Sequence, residues 1–441
     1  MHMTDLIMKK RDGGELTNEE LAFFVRGVTD GTLPDYQISA LLMAIYFQKL
    51  NLRETVELTR LMADSGERAD LSGITGVKAD KHSTGGVGDK TTLICTPLAA
   101  ACGVRVAKMS GRGLGFTGGT ADKILSIPGL RNEIEPAEFF RNVNTVGASL
   151  IAQTGNLAPA DKRLYALRDV TGTVENRSLI AASIMSKKLA SGCDVLVLDV
   201  KTGSGAFMKS YEDAVELARL MVNIGEEAGV RTTALITDMG TPLGNTVGNT
   251  IEVEEAIETL HGRGPADLTE LSVALAAEMV HLGTNEPLEV CTRRVRNALA
   301  DGSARQVLAD LIRAQYGDPG VIENPGIMKQ PKLKTTLCAQ RSGFLDRVDT
   351  EAVGRSALLL GAGRERKEDA IDDSAGIRFL RKPGDAVTAG EPVAELYSDE
   401  TDRLAAGCTL LQQTLRYSDT KPTSVPLIYA RVSKNGVEEC Q

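Results

Sequence analysis

The sequence of 441 residues contains no tryptophan, and aromatic residues make up only 4% of it. No apolar run approaches the roughly 18 residues that a membrane-spanning helix needs, and the N-terminus lacks the apolar core of a signal peptide. The seven cysteines form no CxxC pair and the four histidines do not cluster, which argues against a zinc site or a disulfide framework. These absences predict a reducing, cytoplasmic compartment, no membrane contact and no metal centre.

The remaining composition is that of an ordinary globular protein, with 42% hydrophobic and 25% charged residues. The formal net charge of −9 argues against a general affinity for nucleic acid or acidic membranes. Any site that binds an anion must therefore be a local concentration of basic side chains.

The order of the sequence patterns predicts three structural units. Apolar residues recur at helical spacing through the first 65 residues and again between residues 160 and 192. From about residue 77, short β-branched runs alternate with glycine loops and helices, which is typical of a parallel sheet. Beyond residue 330, short strands alternate with turns such as KPGDAVTAGEPV, a pattern similar to half of a biotinyl- or lipoyl-like sandwich.

The predicted fold class is therefore α/β, with a small all-helical lobe, a large α/β lobe with a mixed, largely parallel sheet, and a C-terminal α+β, barrel-sandwich-like module. We predict boundaries of 1–65 and 160–192 for the helical lobe, 66–159 and 193–330 for the α/β lobe, and 331–441 for the C-terminal module. No lysine occupies the hairpin tip of this module, so we expect it to be structural rather than a carrier.

Residues 81–123 hold two glycine-dense loops, each followed by a predicted helix. In the first loop, KHSTGGVGDKTT, Lys81 supplies a positive charge, and Ser83 and Thr92 supply hydroxyl donors. Glycine lets backbone N–H groups turn toward a ligand, and helix N-termini favour anions. The Walker A pattern fails here, because an aspartate rather than a glycine precedes Lys90. Taken alone, the loop is equally compatible with a glycine-rich turn between a strand and a helix.

The second loop, SGRGLGFTGGT, favours the anion-binding interpretation. Ser110 follows a predicted strand, Thr120 is predicted to cap the next helix, and Lys108 and Arg112 add positive charge. Two loops joined by one helix and one strand can face the same point at the ends of neighbouring strands. Several charge-assisted hydrogen bonds, each worth about 1.5–3 kcal/mol, would hold inorganic phosphate there.

A second group of polar residues matches the needs of a pyrimidine ring. Ser183 and Lys187 are four residues apart and thus on one helix face, and Tyr165 and Arg168 lie on adjacent turns of the preceding helix. Taken alone, such a pair is more typical of a solvated lysine stripe. The two carbonyls and the ring N–H of a pyrimidine, however, need two cationic donors and a hydroxyl, which Arg168, Lys187 and Ser183 supply.

Of the histidines, His82 is the one that lies next to other candidate functional residues. It lies between Lys81 and Ser83 in the first loop, whereas His2 is terminal and the other two histidines lie in helical or turn contexts. We therefore interpret His82 as a functional residue, at which acid–base chemistry meets the bound phosphate.

The sequence resembles the pyrimidine-nucleoside phosphorylase and thymidine phosphorylase family in five motifs, which occur in the order KHSTGGVGD, SGRGLG-x-TGGT-x-DK, PADKRLYALRDVT, SIMSKK and DVKTGSGAFM. The resemblance implies a homodimer whose partners are small molecules, with phosphate on the large lobe and the pyrimidine on the helical lobe. It implies reversible phosphorolysis of uridine, thymidine and 2′-deoxyuridine to the free base and an α-D-(deoxy)ribose 1-phosphate. Inorganic phosphate is then the co-substrate, and no cofactor is expected.

The resemblance also implies roles for individual residues. Phosphate would be bound by Lys81, Ser83, Thr92, Lys108, Ser110 and Thr120. The nucleoside would be bound by Lys108, Leu114, Tyr165, Arg168, Ser183, Lys187 and Phe207. Catalysis would rest on His82, Arg168 and Lys187. The two cations would stabilise negative charge on the departing base, while the histidine donates a proton or a hydrogen bond to its ring.

Three positions discriminate within the family. Lys108 is typical of members that accept both uridine and thymidine, whereas deoxy-specific members have methionine there. Lys90 replaces the threonine of potassium-binding members, so we expect its ammonium to replace the ion and no potassium to be required. The other ligands of that ion correspond here to Gly88, Leu243, Thr246 and Glu255. Phe116 replaces the usual histidine, which removes a polar contact near the sugar and the base.

Three alternatives stay open on the sequence. They are a thymidine phosphorylase restricted to deoxynucleosides, a phosphoribosyltransferase of the anthranilate type, and a non-catalytic pyrimidine-binding protein. The phosphoribosyltransferase would need acidic residues for magnesium and diphosphate beside the loops, where no convincing pair occurs. Loss of His82, Arg168 or Lys187 would have favoured the non-catalytic protein, and all three are present.

Overall fold

The computed structural model describes residues 1–111, 118–153, 155–364, 366 and 369–440. Its helices are α1 (Met3–Arg11), α2 (Asn18–Thr29), α3 (Asp35–Gln48), α4 (Leu52–Ala63), α5 (Thr92–Ala101), α6 (Thr120–Leu125), α7 (Pro136–Val146), α8 (Pro159–Thr171), α9 (Arg177–Ala190), α10 (Tyr211–Glu227), α11 (Thr250–Leu260), α12 (Ala266–Thr284), α13 (Leu288–Ala300), α14 (Ser303–Ala314), α15 (Thr350–Ala357) and α16 (Thr401–Thr414). Its strands are β1 (Lys78–Ser83), β2 (Arg105–Ser110), β3 (Ala148–Ala152), β4 (Val195–Thr202), β5 (Arg231–Asp238), β6 (Thr246–Gly248), β7 (Leu333–Cys338), β8 (Gly343–Leu345), β9 (Gly376–Phe379), β10 (Ala386–Val387), β11 (Pro392–Ser398), β12 (Tyr417–Ser418), β13 (Ile428–Ser433) and β14 (Gly436–Glu439).

Helices α1 to α4 pack with α8 and α9 around one apolar core. Helix α2 begins at a capping box, in which the side chains of Thr17 and Glu20 each accept a hydrogen bond from the other residue's backbone N–H. Leu164 of α8 and Leu179 of α9 are buried in the same core. The chain therefore returns to the helical lobe after its first passage through the sheet.

The large lobe contains a sheet with the strand order β14-β13-β5-β4-β1-β2-β3. Five neighbouring strands, β5, β4, β1, β2 and β3, run parallel to one another. Beyond β5, strand β13 pairs antiparallel with β5, and β14 pairs antiparallel with β13. This mixed, largely parallel sheet confirms the predicted fold class. Strand β4 is buried at every position, as expected for a central strand covered on both faces by helices.

The C-terminal part contains antiparallel sheets, which confirms its predicted α+β character. One sheet has the order β6-β9-β11-β7 and the other the order β10-β8-β12. Strand β6 comes from the segment that precedes α11 of the large lobe, and β13 and β14 join the sheet of that lobe. Strand pairing therefore connects the C-terminal part to the large lobe at two places.

Over its described residues, the chain crosses between the helical and large lobes three times, and the crossings lie side by side. The N–H of Glu67 donates to the carbonyl oxygen of Asn156 at 3.1 Å, and the N–H of Ala69 donates to that of Ala190 at 2.8 Å. Two of these crossings lead into the amino ends of β1 and β4, and the third leaves from the carboxyl end of β3. Within the part of the chain that the structure describes, no helix is both long and apolar enough to cross a membrane.

Candidate active site

Lys81, on strand β1, belongs to a buried network of hydrogen bonds and ion pairs beside the first glycine loop. Its Nζ donates to Oγ1 of Thr91 at 2.6 Å and lies 3.4 Å from the carboxylate of Asp199 and 3.7 Å from that of Asp89. Burial opposes a charge here, but these two carboxylates outweigh it and raise the pKa of Lys81. Lys81 therefore provides a lasting positive charge at the carboxyl end of β1.

His82 follows on β1, half-buried and paired in register with Leu198 of β4. Burial, followed by the positive charges of Lys188 and Lys108, holds the pKa of His82 well below its usual value of 6.5. The imidazole is therefore neutral at pH 7 before substrates bind. A neutral imidazole still donates one N–H, and a phosphate dianion bound beside it would favour its protonation.

The two glycine loops are tied together by Lys123 of α6. Its buried Nζ donates to the carbonyl oxygen of Asp89 in the first loop at 2.8 Å and pairs with the carboxylate of Glu252 at 2.6 Å. The N-terminus of α6 is thereby held close to the first loop. The start of α6 and the first loop are therefore adjacent, as one shared anion site would require.

The prediction that Thr120 caps α6 is wrong. Thr120 is the first helical residue, and Gly119 occupies the capping position without a side-chain hydrogen bond. The double glycine of the TGGT motif lets the backbone enter the helix directly, so its first N–H groups receive no side-chain cap. The N–H groups of Asp122 and Lys123 donate instead to the carbonyl oxygen of Gly119, each at 3.1 Å.

The other predicted phosphate ligands lie at the ends of neighbouring elements. Ser110 ends β2 and Thr92 begins α5. The hydroxyl oxygen of Ser83 accepts the N–H of Gly85 at 3.2 Å and so shapes the first loop. Three further residues of the second loop lie outside the described residues, and their roles stay predictions: Arg112, Leu114 and Phe116.

Lys108 belongs to a buried cluster with Asp80 and Lys188. One carboxylate oxygen of Asp80 accepts from Nζ of Lys108 at 3.1 Å, and the other accepts from Nζ of Lys188 at 2.8 Å. Lys108 also donates to the carbonyl oxygen of Lys81. Burial opposes ionisation of Asp80, but the two cations lower its pKa to about 2. Burial, with the charges of Lys188 and Lys81, lowers the pKa of Lys108 to about 8, although Asp80 opposes the shift.

Helix α9 presents Ser183 and Lys187 one turn apart. Nζ of Lys187 donates to the hydroxyl of Ser183 at 3.0 Å and to the carboxylate of Asp161, on α8, at 2.5 Å. Asp161 is buried, while the Lys187 side chain keeps 26% of its surface exposed. An ammonium carries three N–H groups, so Lys187 retains one for a ligand.

The guanidinium of Arg168 is bound largely to the backbone. It donates to the carbonyl oxygens of Thr173 at 3.2 Å, Val174 at 2.6 Å and Leu179 at 3.1 Å. These bonds connect the end of α8 to the start of α9 and leave the remaining N–H groups for a ligand. Arg168 therefore has a structural task that its place in the sequence did not indicate.

The two described aromatic residues predicted to contact the nucleoside are both partly exposed. Tyr165, on α8, is 37% exposed, and its ring centroid lies 5.9 Å from Cζ of Arg168. Phe207, in the loop after β4, is 45% exposed. Exposed rings of this kind are suited to cover the face of a planar base.

The buried ammonium of Lys90 is surrounded by oxygen atoms. It donates to the carbonyl oxygens of Leu243 at 3.2 Å and Thr246 at 2.8 Å, to the Thr246 hydroxyl at 3.2 Å, and to the Glu255 carboxylate at 2.5 Å. Gly88 borders this group with a φ of +76°, and a Cβ there would lie 2.5 Å from the carbonyl oxygen of Leu243. The structure thus brings the positions assigned to an ion together around the ammonium of Lys90.

Sequence reasoning missed the carboxylates that hold the cations in place. Asp80 binds two lysines, Asp161 binds Lys187, and Asp199 lies 2.7 Å from Nζ of Lys201. Asp161 lies inside the motif PADKRLYALRDVT, and Asp199 lies inside DVKTGSGAFM. An acidic residue within a motif that also contains a basic residue was therefore the sequence feature that could have predicted these two partners. Across residues 1–111, 118–153, 155–364, 366 and 369–440, no group of His, Cys, Asp or Glu side chains is arranged to hold a metal ion.

Family models match three parts of the chain. The model described as "Glycosyl transferase family, helical bundle domain" matches residues 4–66, and that described as "Glycosyl transferase family, a/b domain" matches residues 75–305. The model described as "Pyrimidine nucleoside phosphorylase C-terminal domain" matches residues 344–418.

Curated relatives match over most of the chain. A pyrimidine-nucleoside phosphorylase from Geobacillus stearothermophilus is 50% identical over 98% of this chain and 100% of its own length. One from Bacillus subtilis (strain 168) is 51% identical over 90% of this chain and 92% of its own. Among solved structures, anthranilate phosphoribosyltransferase from Thermus thermophilus shares the fold, with a TM-score of 0.58 and 19% identity over 70% of this chain and 99% of that one.

Proposed function

Because the chain belongs to the pyrimidine-nucleoside phosphorylase family, we propose that it catalyses the reversible phosphorolysis of pyrimidine nucleosides. One observation carries the proposal: a buried ion pair joins the helix that carries Lys187 to the strand that carries Lys81. Lys81 marks the phosphate side, at the carboxyl end of β1, and Lys187 marks the base side, on α9. The residue after Lys187 reaches back to Asp80 on β1, so the two sides are neighbours.

The reaction that this arrangement supports is a displacement at the anomeric carbon. A phosphate oxygen attacks that carbon opposite the base, while the bond to N1 of the pyrimidine breaks. The bonding electron pair leaves with the base and spreads onto its ring carbonyl oxygens. Attack from the opposite face gives the α-anomer of ribose 1-phosphate or deoxyribose 1-phosphate.

Charge stabilisation is the main contribution of the side chains. Lys81 and the N-termini of α5 and α6 bind the phosphate, and Lys187 and Arg168 stabilise the negative charge on the departing base. The proton that the base gains is the one that hydrogen phosphate loses on attack. His82 is the proposed carrier of this proton, since it adjoins Lys81 and its neutral imidazole can accept before it donates.

We propose uridine, thymidine and 2′-deoxyuridine as substrates, with inorganic phosphate as co-substrate and no cofactor. The test is to incubate the protein with uridine or thymidine, with and without phosphate, and to follow release of free base. Release that requires phosphate supports the proposal. Release without phosphate, or diphosphate formation from a phosphoribosyl donor, would overturn it.

All seven cysteines are free, which supports the proposed reducing, cytoplasmic compartment.

We predict that activity does not depend on potassium, because the Lys90 ammonium already pairs with Glu255 among the surrounding oxygens. The rates of the wild-type protein should be equal in potassium and sodium chloride of matched ionic strength. Lys90→Thr removes the ammonium and should make the rate respond to potassium. A large rate gain in potassium for the wild-type protein would contradict the proposal.

We propose that the protein is a homodimer, and the helical lobe supplies the candidate interface. On α3, Tyr36 is 74% exposed, Met43 36% and Phe47 72%, and their spacing places them along one face of the helix. Met8 of the adjacent helix α1 is 45% exposed. A self-complementary apolar patch of this kind is typical of twofold dimers.

Placing charges in this patch is expected to split the dimer. Tyr36→Asp combined with Phe47→Asp should shift the mass measured by light scattering or analytical ultracentrifugation from two chains to one. Val425→Asp, which changes a 58%-exposed apolar side chain in the C-terminal part, is the control and should leave the mass unchanged. A wild-type protein that is monomeric at micromolar concentration, or a double variant that remains dimeric, would rule out this interface.

A further inference from the structure

Helix α9 belongs to both lobes at once. Leu179 and Ala182 are buried in the core of the helical lobe, while Met185 and Leu189 are buried against the sheet of the large lobe. The C-terminal half of α9, which carries Lys187, therefore shares an apolar cluster with strands β2, β4 and β5 of the sheet. Whatever fixes this half of the helix also fixes the base side relative to the phosphate side.

Lys188 makes the polar connection between α9 and the sheet. It is 2% exposed, and its Nζ donates to the Asp80 carboxylate of β1 at 2.8 Å and to the carbonyl oxygen of Met109 on β2 at 3.3 Å. Asp80 is fully buried, so both charges are removed from water and each depends on the other. Apolar packing alone would let the helix slide or turn, whereas a buried ion pair fixes one position.

We propose that Lys188 is a positioning residue for phosphorolysis, which holds α9, and with it Ser183 and Lys187, in register with the phosphate-binding loops through Asp80. Lys188 itself need not touch either substrate, because its N–H groups face Asp80 and Met109. The same carboxylate binds Lys108, so one aspartate sets the places of two neighbouring lysines. The inference rests on the proposed base-binding role of α9.

The test compares two buried lysines of similar setting. Lys188→Met removes the connection to Asp80. Lys10→Met is the matched control, because Lys10 is 3% exposed and bonds both oxygens of the buried Glu54 carboxylate, at 3.0 and 3.1 Å, within the helical lobe. For each full-length variant, the unfolding temperature, kcat, and the KM values for thymidine and phosphate are measured.

Both variants should unfold at lower temperature than the wild-type protein, since Lys10→Met leaves the Glu54 carboxylate without its lysine and Lys188→Met leaves the Asp80 carboxylate with Lys108 alone. Only Lys188→Met should lower kcat/KM for thymidine, by about 10²-fold, because displacements near 1 Å have effects of that size. The KM for phosphate should stay unchanged in both. Equal thymidine kinetics in Lys188→Met and Lys10→Met, or a parallel rise of both KM values in Lys188→Met, would overturn the inference.

Two further variants keep the test decisive. If Lys188→Met does not fold, Lys188→Gln retains an N–H donor and should show the same separation of thymidine and phosphate constants, at smaller amplitude. Ser183→Ala tests the base site independently of Lys188. If Ser183→Ala leaves thymidine kinetics unchanged, the base-site assignment fails; if it impairs them while Lys188 variants behave like Lys10→Met, only the positioning role fails.

Discussion

Replacing Lys187 with methionine is expected to lower kcat for thymidine by about 10²–10³-fold, the usual effect of losing one donor to a charge that develops in the transition state. The base becomes negatively charged only as the glycosidic bond breaks, so kcat and kcat/KM should fall together. The KM for phosphate should not change, because Lys187 lies on α9 and not in the glycine loops. Initial rates at varied thymidine and phosphate concentrations measure all three constants.

Loss of Lys187 also leaves the buried carboxylate of Asp161 without its cation, which would weaken folding independently of catalysis. Lys187→Met combined with Asp161→Asn removes that charge and serves as the control. The double variant should recover thermal stability without recovering kcat. Recovered activity in the double variant, or a Lys187→Met effect confined to KM, would show that Lys187 acts through packing and not on the base. Arg168 is a poorer probe, since its guanidinium also holds the backbone between α8 and α9.

The fold class followed from the sequence because its signals are local. The run that forms β4 is apolar throughout most of its length, and the amphipathic helices of the first 65 residues show regular spacing. The pairing of β6 with β9, and of β13 with β5, was not predictable in this way. Strand partners far apart in sequence are chosen by tertiary packing, and short strands carry little pattern of their own.

The candidate site likewise has features that the sequence predicts and features that it does not. Glycine loops and motif cations are visible in the sequence, but the partners of those cations are not. Lys188 and Asp80 are separated by 108 residues, and Lys90 and Glu255 by 165. Only the resemblance to a family connected Lys90 with Glu255, and nothing connected Lys188 with Asp80. A buried ion pair forms only where two secondary-structure elements pack together, and the sequence of either element alone does not predict that packing.

Replacing Lys108 with methionine is expected to reduce activity on uridine by about 10–100-fold more than activity on thymidine, the effect of losing one charged hydrogen bond to the ribose 2′-hydroxyl. Of the three N–H groups of the ammonium, one donates to Asp80 and one to the carbonyl oxygen of Lys81, which leaves the third for the sugar. Asp80 keeps Lys188 as its partner, so the substitution does not orphan a buried charge. The ratio of kcat/KM for the two nucleosides is the measurement.

The pH dependence of the same ratio gives an independent check. The pKa of Lys108 is lowered to about 8, so its ammonium form is lost as the pH rises through that value. A neutral amine has only two N–H groups, which Asp80 and Lys81 already use, so the preference for uridine over thymidine should decline above pH 8. In Lys108→Met this decline should disappear, because nothing at that position titrates. Equal losses on both nucleosides, or an unchanged decline in the variant, would contradict the contact between Lys108 and the 2′-hydroxyl.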